Sequence, residues 1–143
     1  MLFRSSSVVA WALPGGPGAY PEPMRAALGI LADVCCVLVF VLIGRANHHT
    51  GETLAGAAST AWPFLAGLAA GEVATRGWRR PFALVPTGVG VWAGTVIGGQ
   101  LLRVVSGQGT AVAFIIVSVL FLGLFLLGWR LAARLFARPT LVS

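Results

Sequence analysis

Four long hydrophobic runs dominate the chain, and short segments that carry most of its charge separate them. The runs cover residues 24–44, 54–75, 83–102 and 110–129. A helix needs about 20 apolar residues to cross a hydrocarbon core of about 30 Å, so each run is long enough to span a membrane. The pattern therefore predicts an all-α membrane protein, folded as a compact bundle of four transmembrane helices.

Composition supports this class and excludes an ordinary soluble domain. Of the 143 residues, 57% are hydrophobic and only 10% are charged, and the mean hydropathy is +0.89. Such a chain cannot cover a water-exposed surface with polar side chains. The segments between the runs are too short for a further domain, so we expect one transmembrane domain over residues 24–132.

The two ends of the chain differ from the hydrophobic runs. Residues 1–23 are rich in proline and glycine, a composition typical of a flexible tail. A short apolar stretch at residues 8–13 follows Arg4, so a cleaved signal sequence is the alternative for this segment. Residues 133–143 are predicted to form a short basic tail.

The distribution of arginine predicts how the bundle is oriented. The chain has ten arginines, no lysine and four acidic residues, which gives a net charge of +6. Arg45 and Arg103 lie on one side, and eight lie on the side of the termini and the second connection: Arg4, Arg25, Arg76, Arg79, Arg80, Arg130, Arg134 and Arg138. Positive residues collect on the cytoplasmic side, so we expect both termini in the cytoplasm and the protein in the cell membrane. The arginines then anchor the chain to the lipid bilayer, and no nucleic-acid partner is expected.

Asp33 lies in the middle of the first run and is the strongest candidate for a functional residue. A carboxylate at this depth costs about 3 kcal/mol, so such residues usually face a partner, a cavity or a solute path. Burial favours a neutral carboxyl group unless a cation is near. Two roles remain open: Asp33 takes part in moving a proton or a solute, or it joins helices through a hydrogen bond.

Counting helical residues at about 1.5 Å each places a layer of polar groups at the depth of Asp33. Pro63 cannot donate a backbone hydrogen bond, which frees the carbonyl of Ser59 as an acceptor. We expect Asp33 to donate a hydrogen bond to this carbonyl or to a hydroxyl group of the layer. The candidate binding residues at this depth are Ser59, Thr60, Trp62, Pro63, Trp92 and Thr95.

A second polar group lies at the outer end of the predicted bundle. Arginine and histidine side chains there could bind an anionic headgroup or carboxylate, and histidine changes charge near neutral pH. An ion-pair network that anchors the chain at the interface is the alternative. The candidate residues are Arg45, His48, His49 and Glu52 in the first connection, with Gln100 and Arg103 at the end of the third run.

Small residues predict where the helices approach each other most closely. Gly67 and Gly71 in the second run, and Gly90, Gly94 and Gly98 in the third, recur at intervals of four residues. Residues at this spacing share one face of a helix, and glycine there lets two backbones approach closely within lipid. We therefore expect the second and third helices to form the tightly packed centre, with these glycines as packing residues.

Several short motifs resemble one family of small membrane proteins. They are Gly44-Arg45, His48, Gly51, Thr60-Ala61-Trp62-Pro63-Phe64, Gly67, Gly71, Gly90-Val91-Trp92, Leu102-Arg103, Gly109-Thr110-Ala111, Phe114 and Gly128-Trp129-Arg130. Together they resemble the uncharacterised family known as domain of unknown function 3054, over roughly residues 24–132. The resemblance implies a four-helix membrane protein and no particular activity. The chain departs from the family at Glu72, where an aromatic residue is expected; Glu72 is predicted to pair with Arg76, four residues on.

Three classes of function are compatible with these features. Small-solute or proton-linked transport, or small-molecule binding, would centre on Asp33 and would favour a homo-oligomer, because four helices enclose little volume. An accessory subunit that packs against a larger membrane complex or lipids is the alternative. An enzyme ranks third, because only the outer arginine and histidine group approaches a catalytic arrangement. The sequence contains no P-loop, HExxH, CxxC or nucleophile-elbow motif, so no cofactor or metal is expected.

Overall fold

Four helices make up most of the structure, a computed structural model that describes residues 20–46 and 54–136. Helix α1 covers Glu22–Ala46, α2 covers Leu54–Thr75, α3 covers Val89–Val105 and α4 covers Val112–Phe136. An irregular turn, Leu84–Gly88, leads directly into α3. Each of the four helices, α3 together with this turn, is long and apolar enough to cross a membrane. The described part of the chain is therefore all-helical, with four candidate membrane spans.

The helix ends differ from the hydrophobic runs at two places. Helix α4 continues past the predicted end at Trp129 to Phe136, so Arg130 lies within the helix and not in a tail. The third span begins with a backbone break, because Val85 is extended, with φ −126° and ψ 130°. Val85 precedes Pro86, whose ring disfavours a helical conformation in the residue before it. The regular helix α3 consequently starts at Val89.

Helices α2 and α3 meet through their backbones. A Cβ atom added to Gly67 would lie 2.6 Å from the carbonyl oxygen of Gly94, and one added to Gly94 would lie 2.8 Å from the Cα atom of Gly71. On Gly98, an added Cβ would lie 2.9 Å from the Cα atom of Gly67. Side chains have no room at these points, so glycine permits the approach. Gly90 lies beside the methyl group of Thr75.

The hydrophobic core lies between all four helices. Phe40 of α1 packs edge-on against Phe64 of α2, with ring centroids 5.3 Å apart, and both rings also contact Phe114 of α4. Such aromatic contacts add to the stabilisation from buried area. The buried apolar residues of the core are Val37, Phe40, Val41, Ala61, Phe64, Leu68, Val91, Val96, Leu122 and Leu126.

The connection between α2 and α3 folds against the first half of α1. A Cβ added to Gly29 would lie 2.6 Å from the Cβ of Pro81, so the connection lies directly on α1 at this glycine. One turn earlier in α1, the guanidinium of Arg25 lies 5.8 Å from the centre of the Phe82 ring. Helix α1 therefore extends past the end of α2, and Asp33 comes close to the last turn of α2.

Candidate functional site

Asp33 and Arg130 form an ion pair inside the bundle. The Nη2 atom of Arg130 donates to Oδ2 of Asp33 at 2.7 Å, and Nη1 donates to Oδ1 at 2.8 Å. Both side chains are 0% exposed. Two parallel bonds between a planar guanidinium and a carboxylate fix both distance and orientation. The pair joins α1 to α4, across 97 positions of sequence.

The remaining donors around this pair are also bonded. Nε of Arg130 donates to the carbonyl of Pro81 at 2.9 Å, and Nη1 donates to the carbonyl of Leu126 at 3.0 Å. Nε1 of Trp129 donates to Oδ1 of Asp33 at 2.9 Å. A buried charge is tolerated only when it is paired and hydrogen-bonded, as these two are. The network therefore holds α1, α4 and the α2–α3 connection in one arrangement.

Glu72, on the last turn of α2, is a second carboxylate at the same guanidinium. Its Oε1 atom lies 3.9 Å from Nη2 of Arg130, and the residue is 7% exposed. At this separation the two groups form an ion pair, but they are too far apart for a direct hydrogen bond. The other carboxylate oxygen lies over Gly77, where an added Cβ would collide with it. Asp33, Glu72 and Arg130 are referred to below as the ion cluster.

The charges in the ion cluster do not balance. Asp33 and Glu72 contribute two negative charges when ionised, and Arg130 contributes one positive charge. An uncompensated charge is costly in an apolar interior, where the effective dielectric constant is low. One proton, or one other monovalent cation, would make the group neutral. Chemically, the cluster is suited to accepting a single positive charge.

The hydrogen-bond partners predicted for Asp33 were wrong. Thr95 is buried, but its hydroxyl donates to the carbonyl of Val91 in its own helix, at 2.7 Å. The carbonyl of Ser59, which Pro63 leaves without its helical donor, accepts from Nε2 of Gln108 at 3.1 Å. Asp33 instead accepts bonds from its two α4 partners. The depth count failed because the α2–α3 connection folds back along α1 and brings the end of α2 to Asp33.

The pairing predicted between Glu72 and Arg76 was also wrong. Within the described ranges 20–46 and 54–136, the ion pair of Glu72 is with Arg130. Arg76 follows the end of α2 and has a positive φ of 51°, so it no longer continues the helix. The ordinary spacing of four residues does not apply where the helix has ended. Glu72 is thereby left to face the bundle interior.

A polar group at the opposite end of the bundle, near the start of α2 and the end of α3, includes two of the predicted arginines. Nη1 of Arg45 donates to the hydroxyl of Thr60 at 3.1 Å. Arg103 donates to the side-chain oxygen of Gln108 at 3.0 Å, and its guanidinium lies 4.5 Å from the centre of the Phe114 ring. These contacts link the ends of α1 and α3 to the start of α2 and to α4.

Next to these arginines, a short chain of polar side chains enters the bundle. The hydroxyl of Thr110 donates to Oε1 of Gln100 at 2.6 Å, and Nε2 of Gln100 donates to the hydroxyl of Ser118 at 2.9 Å. Ser118 is buried on α4. The chain ends there, because the next buried residues along this face of α4 are Leu122 and Leu126.

The other sequence candidates lie apart from the ion cluster. Trp62 is 43% exposed on the outside of α2. Trp92 donates from Nε1 to the carbonyl of Val119 at 3.0 Å, which links α3 to α4. His48, His49 and Glu52 lie outside the described residues. The two ends of the structure therefore hold separate polar groups, and the expected midplane layer around Asp33 is absent among the described residues.

Sequence reasoning missed Arg130 and Trp129 as members of the site. Arg130 was assigned to the membrane surface because it follows the last apolar run. The buried residues of α4 are Ser118, Leu122, Leu126 and Arg130, which recur every four positions on one face. This spacing, together with the need of buried Asp33 for a cation, was the signal that could have identified Arg130.

Comparison with known proteins identifies the family. The family model described as "Protein of unknown function (DUF3054)" matches residues 30–133. The chain belongs to this family. The matched region contains all three residues of the ion cluster, and the family description gives no activity. No curated protein and no solved structure matches the chain.

Proposed function

We propose that this family member is a multi-pass protein of the cell membrane, with both termini in the cytoplasm, that carries protons across the membrane through its ion cluster. The four apolar helices support membrane insertion. The arginines support the orientation, since Arg45 and Arg103 lie at one end, and the described arginines of the other end are Arg25, Arg76, Arg79, Arg80, Arg130 and Arg134.

The observation that carries the proposal is the presence of two buried carboxylates around one buried guanidinium. Ionisable residues at membrane depth usually mark ion pathways and proton relays. Because the fully ionised cluster carries one excess negative charge, it gains a proton without creating a net charge. A balanced pair of one acid and one base would lack this property.

Glu72 is the member best placed to exchange the proton. Asp33 is held by two bonds from Arg130 and one from Trp129, so its oxygens are already engaged. The ion pair of Glu72 with Arg130 is longer, at 3.9 Å, and Glu72 retains slight exposure beside the α2–α3 connection. The proton therefore reaches the cluster through Glu72, from the end that we assign to the cytoplasm.

Movement across the membrane also requires a route to the opposite end. In this conformation, the partly buried chain of Thr110, Gln100 and Ser118 is separated from Arg130 by Leu122 and Leu126. Apolar side chains at these positions block a continuous polar path. Transport consequently depends on a second conformation in which the cluster meets this chain, as alternating access demands.

Proton movement into proteoliposomes tests this function. Purified protein is reconstituted with a pH-sensitive dye inside, and a potassium diffusion potential drives protons inward. We expect dye acidification above that of empty liposomes, and we expect Glu72→Gln to abolish it. Glu22→Gln is the matched control, because Glu22 is an exposed carboxylate at the start of α1. Wild-type acidification equal to that of empty liposomes, or full acidification with Glu72→Gln, would overturn the proposal.

A further inference from the structure

The end of the bundle where α1 begins carries a strongly positive surface. It consists of five arginines, called the basic end below: Arg25, Arg76, Arg79, Arg80 and Arg134. Arg25 is half-buried and the other four are exposed. None of the five forms an ion pair with a described carboxylate, and the exposed carboxylate described at this end is Glu22. The surplus positive charge is therefore available to an anion from outside the chain.

The fold brings Arg25 next to the α2–α3 connection. Arg25 and Gly29 are four residues apart, so they share one face of α1. Gly29 lies directly on Pro81, and the guanidinium of Arg25 lies 5.8 Å from the centre of the Phe82 ring. The two residues before Pro81 are both arginines of the basic end. Their backbone therefore lies close to the first turns of α1, near Arg25.

The last turns of α4 add Arg134 to this surface. Asp33 of α1 pairs with Arg130 of α4. Phe40, further along α1, contacts Phe121, which comes earlier in α4, with ring centroids 5.4 Å apart. The two helices therefore run antiparallel, and the end of α4 lies at the level of the start of α1. Arg134 follows Arg130 by four residues, so it lies one helical turn, about 5.4 Å, further towards this end on the same face.

Arg25 has a hydrogen-bond donor that the described residues leave unsatisfied. Its Nε atom is buried and has no hydrogen-bond acceptor among them. The neighbouring Phe82 ring attracts the positive charge, but it supplies no oxygen to the N–H group. A buried donor without an acceptor is costly, and guanidinium groups are well suited to phosphate oxygens. This donor is a second observation, besides the surplus charge, that favours an anionic ligand.

Exposed apolar side chains occur at the same end of the bundle. They include Met24 and Leu28 of α1 and Leu131 and Leu135 of α4. Trp78, in the α2–α3 connection, is also exposed, and tryptophan is enriched where a membrane meets water. A free anion would satisfy the arginines alone. A phospholipid also covers the apolar side chains, because it carries acyl chains beside its phosphate.

We propose that the basic end binds the headgroup of an anionic phospholipid, with phosphatidylglycerol as the probe. The phosphate supplies oxygens to the guanidinium groups, and the acyl chains lie against the apolar side chains of α1 and α4. Basic residues next to a membrane span attract anionic lipids, and each raises the affinity by about fivefold. The inference goes beyond the proposed function and shares with it only the insertion of the four helices in a membrane.

Thermal unfolding in detergent micelles tests this site without any measurement of transport. The wild type is heated with increasing phosphatidylglycerol, or with phosphatidylcholine of the same acyl chains, which carries no net charge. We expect phosphatidylglycerol to raise the unfolding temperature further, because a ligand of the folded state stabilises it. Glycerol phosphate in solution, at the same total concentration, distinguishes a lipid from a free anion, and we expect it to have no effect.

The double variant with Arg79→Gln and Arg80→Gln tests the arginines directly. Both side chains are exposed, so we expect the variant to fold. Its apparent affinity for phosphatidylglycerol should fall by about fivefold for each arginine replaced. Arg79→Lys with Arg80→Lys keeps both charges and should retain most of the affinity. Arg45→Gln, at the opposite end of the bundle, is the matched control and should bind the lipid as the wild type does.

Native mass spectrometry from micelles that contain both lipids provides a second readout, since it counts the lipid molecules that each variant retains. Arg25→Gln removes the unsatisfied donor, so we expect it to retain less phosphatidylglycerol than the wild type. Retention of both lipids in equal amounts by the wild type would contradict selective binding of the anionic headgroup.

Four results of the unfolding experiment would overturn the lipid site. They are equal stabilisation by the two lipids, equal stabilisation by glycerol phosphate, unchanged affinity in the double glutamine variant, and an equal loss in Arg45→Gln. These results are separable from a failure of the proposed function. Selective lipid binding without proton movement would contradict only the transport proposal. Proton movement with equal stabilisation by the two lipids would contradict only this inference.

Discussion

Asp33 of α1 and Arg130 of α4 meet through two parallel hydrogen bonds of 2.7 and 2.8 Å, with both side chains fully buried. This contact joins the first and last helices of the described bundle. It also determines how Glu72 is surrounded, because Arg130 is the cation nearest to Glu72. The geometry of one ion pair thus governs both the packing of the helices and the chemistry of the cluster.

Removing one member of the pair should destabilise the fold strongly. Asp33→Asn removes the carboxylate that accepts two bonds from Arg130 and leaves only the longer 3.9 Å contact with Glu72, and breaking a buried pair in this way costs about 3–5 kcal/mol. The double variant with Asp33→Asn and Arg130→Gln removes both charges, so we expect it to be more stable than Asp33→Asn alone. Unfolding in mixed detergent micelles gives the free energies for this double-mutant cycle.

The control for this cycle is Glu22→Gln, which neutralises an exposed carboxylate of the same helix. Its free energy of unfolding should match that of the wild type. Additive effects of Asp33→Asn and Arg130→Gln would contradict the pairing, because residues that do not interact show no coupling energy.

Trp129→Phe should lower stability by about 1–2 kcal/mol, because it removes a hydrogen bond to a charged acceptor. Nε1 of Trp129 donates to Asp33, and the indole ring also packs against Phe82 with centroids 5.6 Å apart. Phenylalanine keeps an aromatic ring at this contact. Trp78→Phe is the matched control, since Trp78 is 45% exposed. Equal losses in the two variants would show that the bond to Asp33 adds nothing.

Because α2 and α3 approach closely, a glycine at their contact should tolerate substitution less well than a glycine elsewhere. Gly94→Ala adds a methyl group less than 3 Å from the backbone of Gly71, so the helices must separate. Gly128→Ala adds the same group where no atom lies within 4 Å. We expect a lower unfolding temperature for Gly94→Ala and an unchanged or higher one for Gly128→Ala, because alanine favours helix more than glycine does. A tolerated Gly94→Ala would mean that this contact is looser than described.

Apolar side chains separate the two polar groups, so replacing one of them by a polar residue should cause a proton leak. Leu122 is fully buried on α4, between Ser118 and Arg130 along one face. Leu122→Ser places a hydroxyl in this gap, so we expect faster dissipation of a pH gradient in proteoliposomes. Leu124→Ser, on the exposed side of the same helix, is the control and should not leak. Equal rates for both variants and the wild type would argue against a barrier at Leu122.

The hydropathy of the sequence predicted the four helical spans, for a physical reason. A span of about 20 apolar residues is a strong signal, because the bilayer demands it. Glycines at intervals of four, such as Gly67 and Gly71, mark a helix face wherever the helix is regular. Hydropathy did not predict the end of α4. The helix continues through Arg130, because the buried carboxylate of Asp33 pairs with that side chain.

The partners of Asp33 could not be read from the sequence. Depth counting assumes that all helices begin at the same level. Here the α2–α3 connection lies on Gly29, so the end of α2 approaches the middle of α1. The side chain of Arg130 was counted as a surface charge, although its position on the buried face of α4 places it inside. Tertiary packing, and not local pattern, created the ion cluster.

Infrared spectroscopy of isotope-labelled glutamate tests the central claim most directly, namely that the cluster accepts a proton at Glu72. The label separates the carboxyl signals of glutamate from that of Asp33. The other two glutamates are replaced by Glu22→Gln and Glu52→Gln, so that Glu72 is the one labelled glutamate. On acidification of this membrane-reconstituted variant, we expect a protonated-carboxyl band that disappears when Glu72→Gln is added. A labelled band that survives the added Glu72→Gln, or no such band before it, would contradict the account.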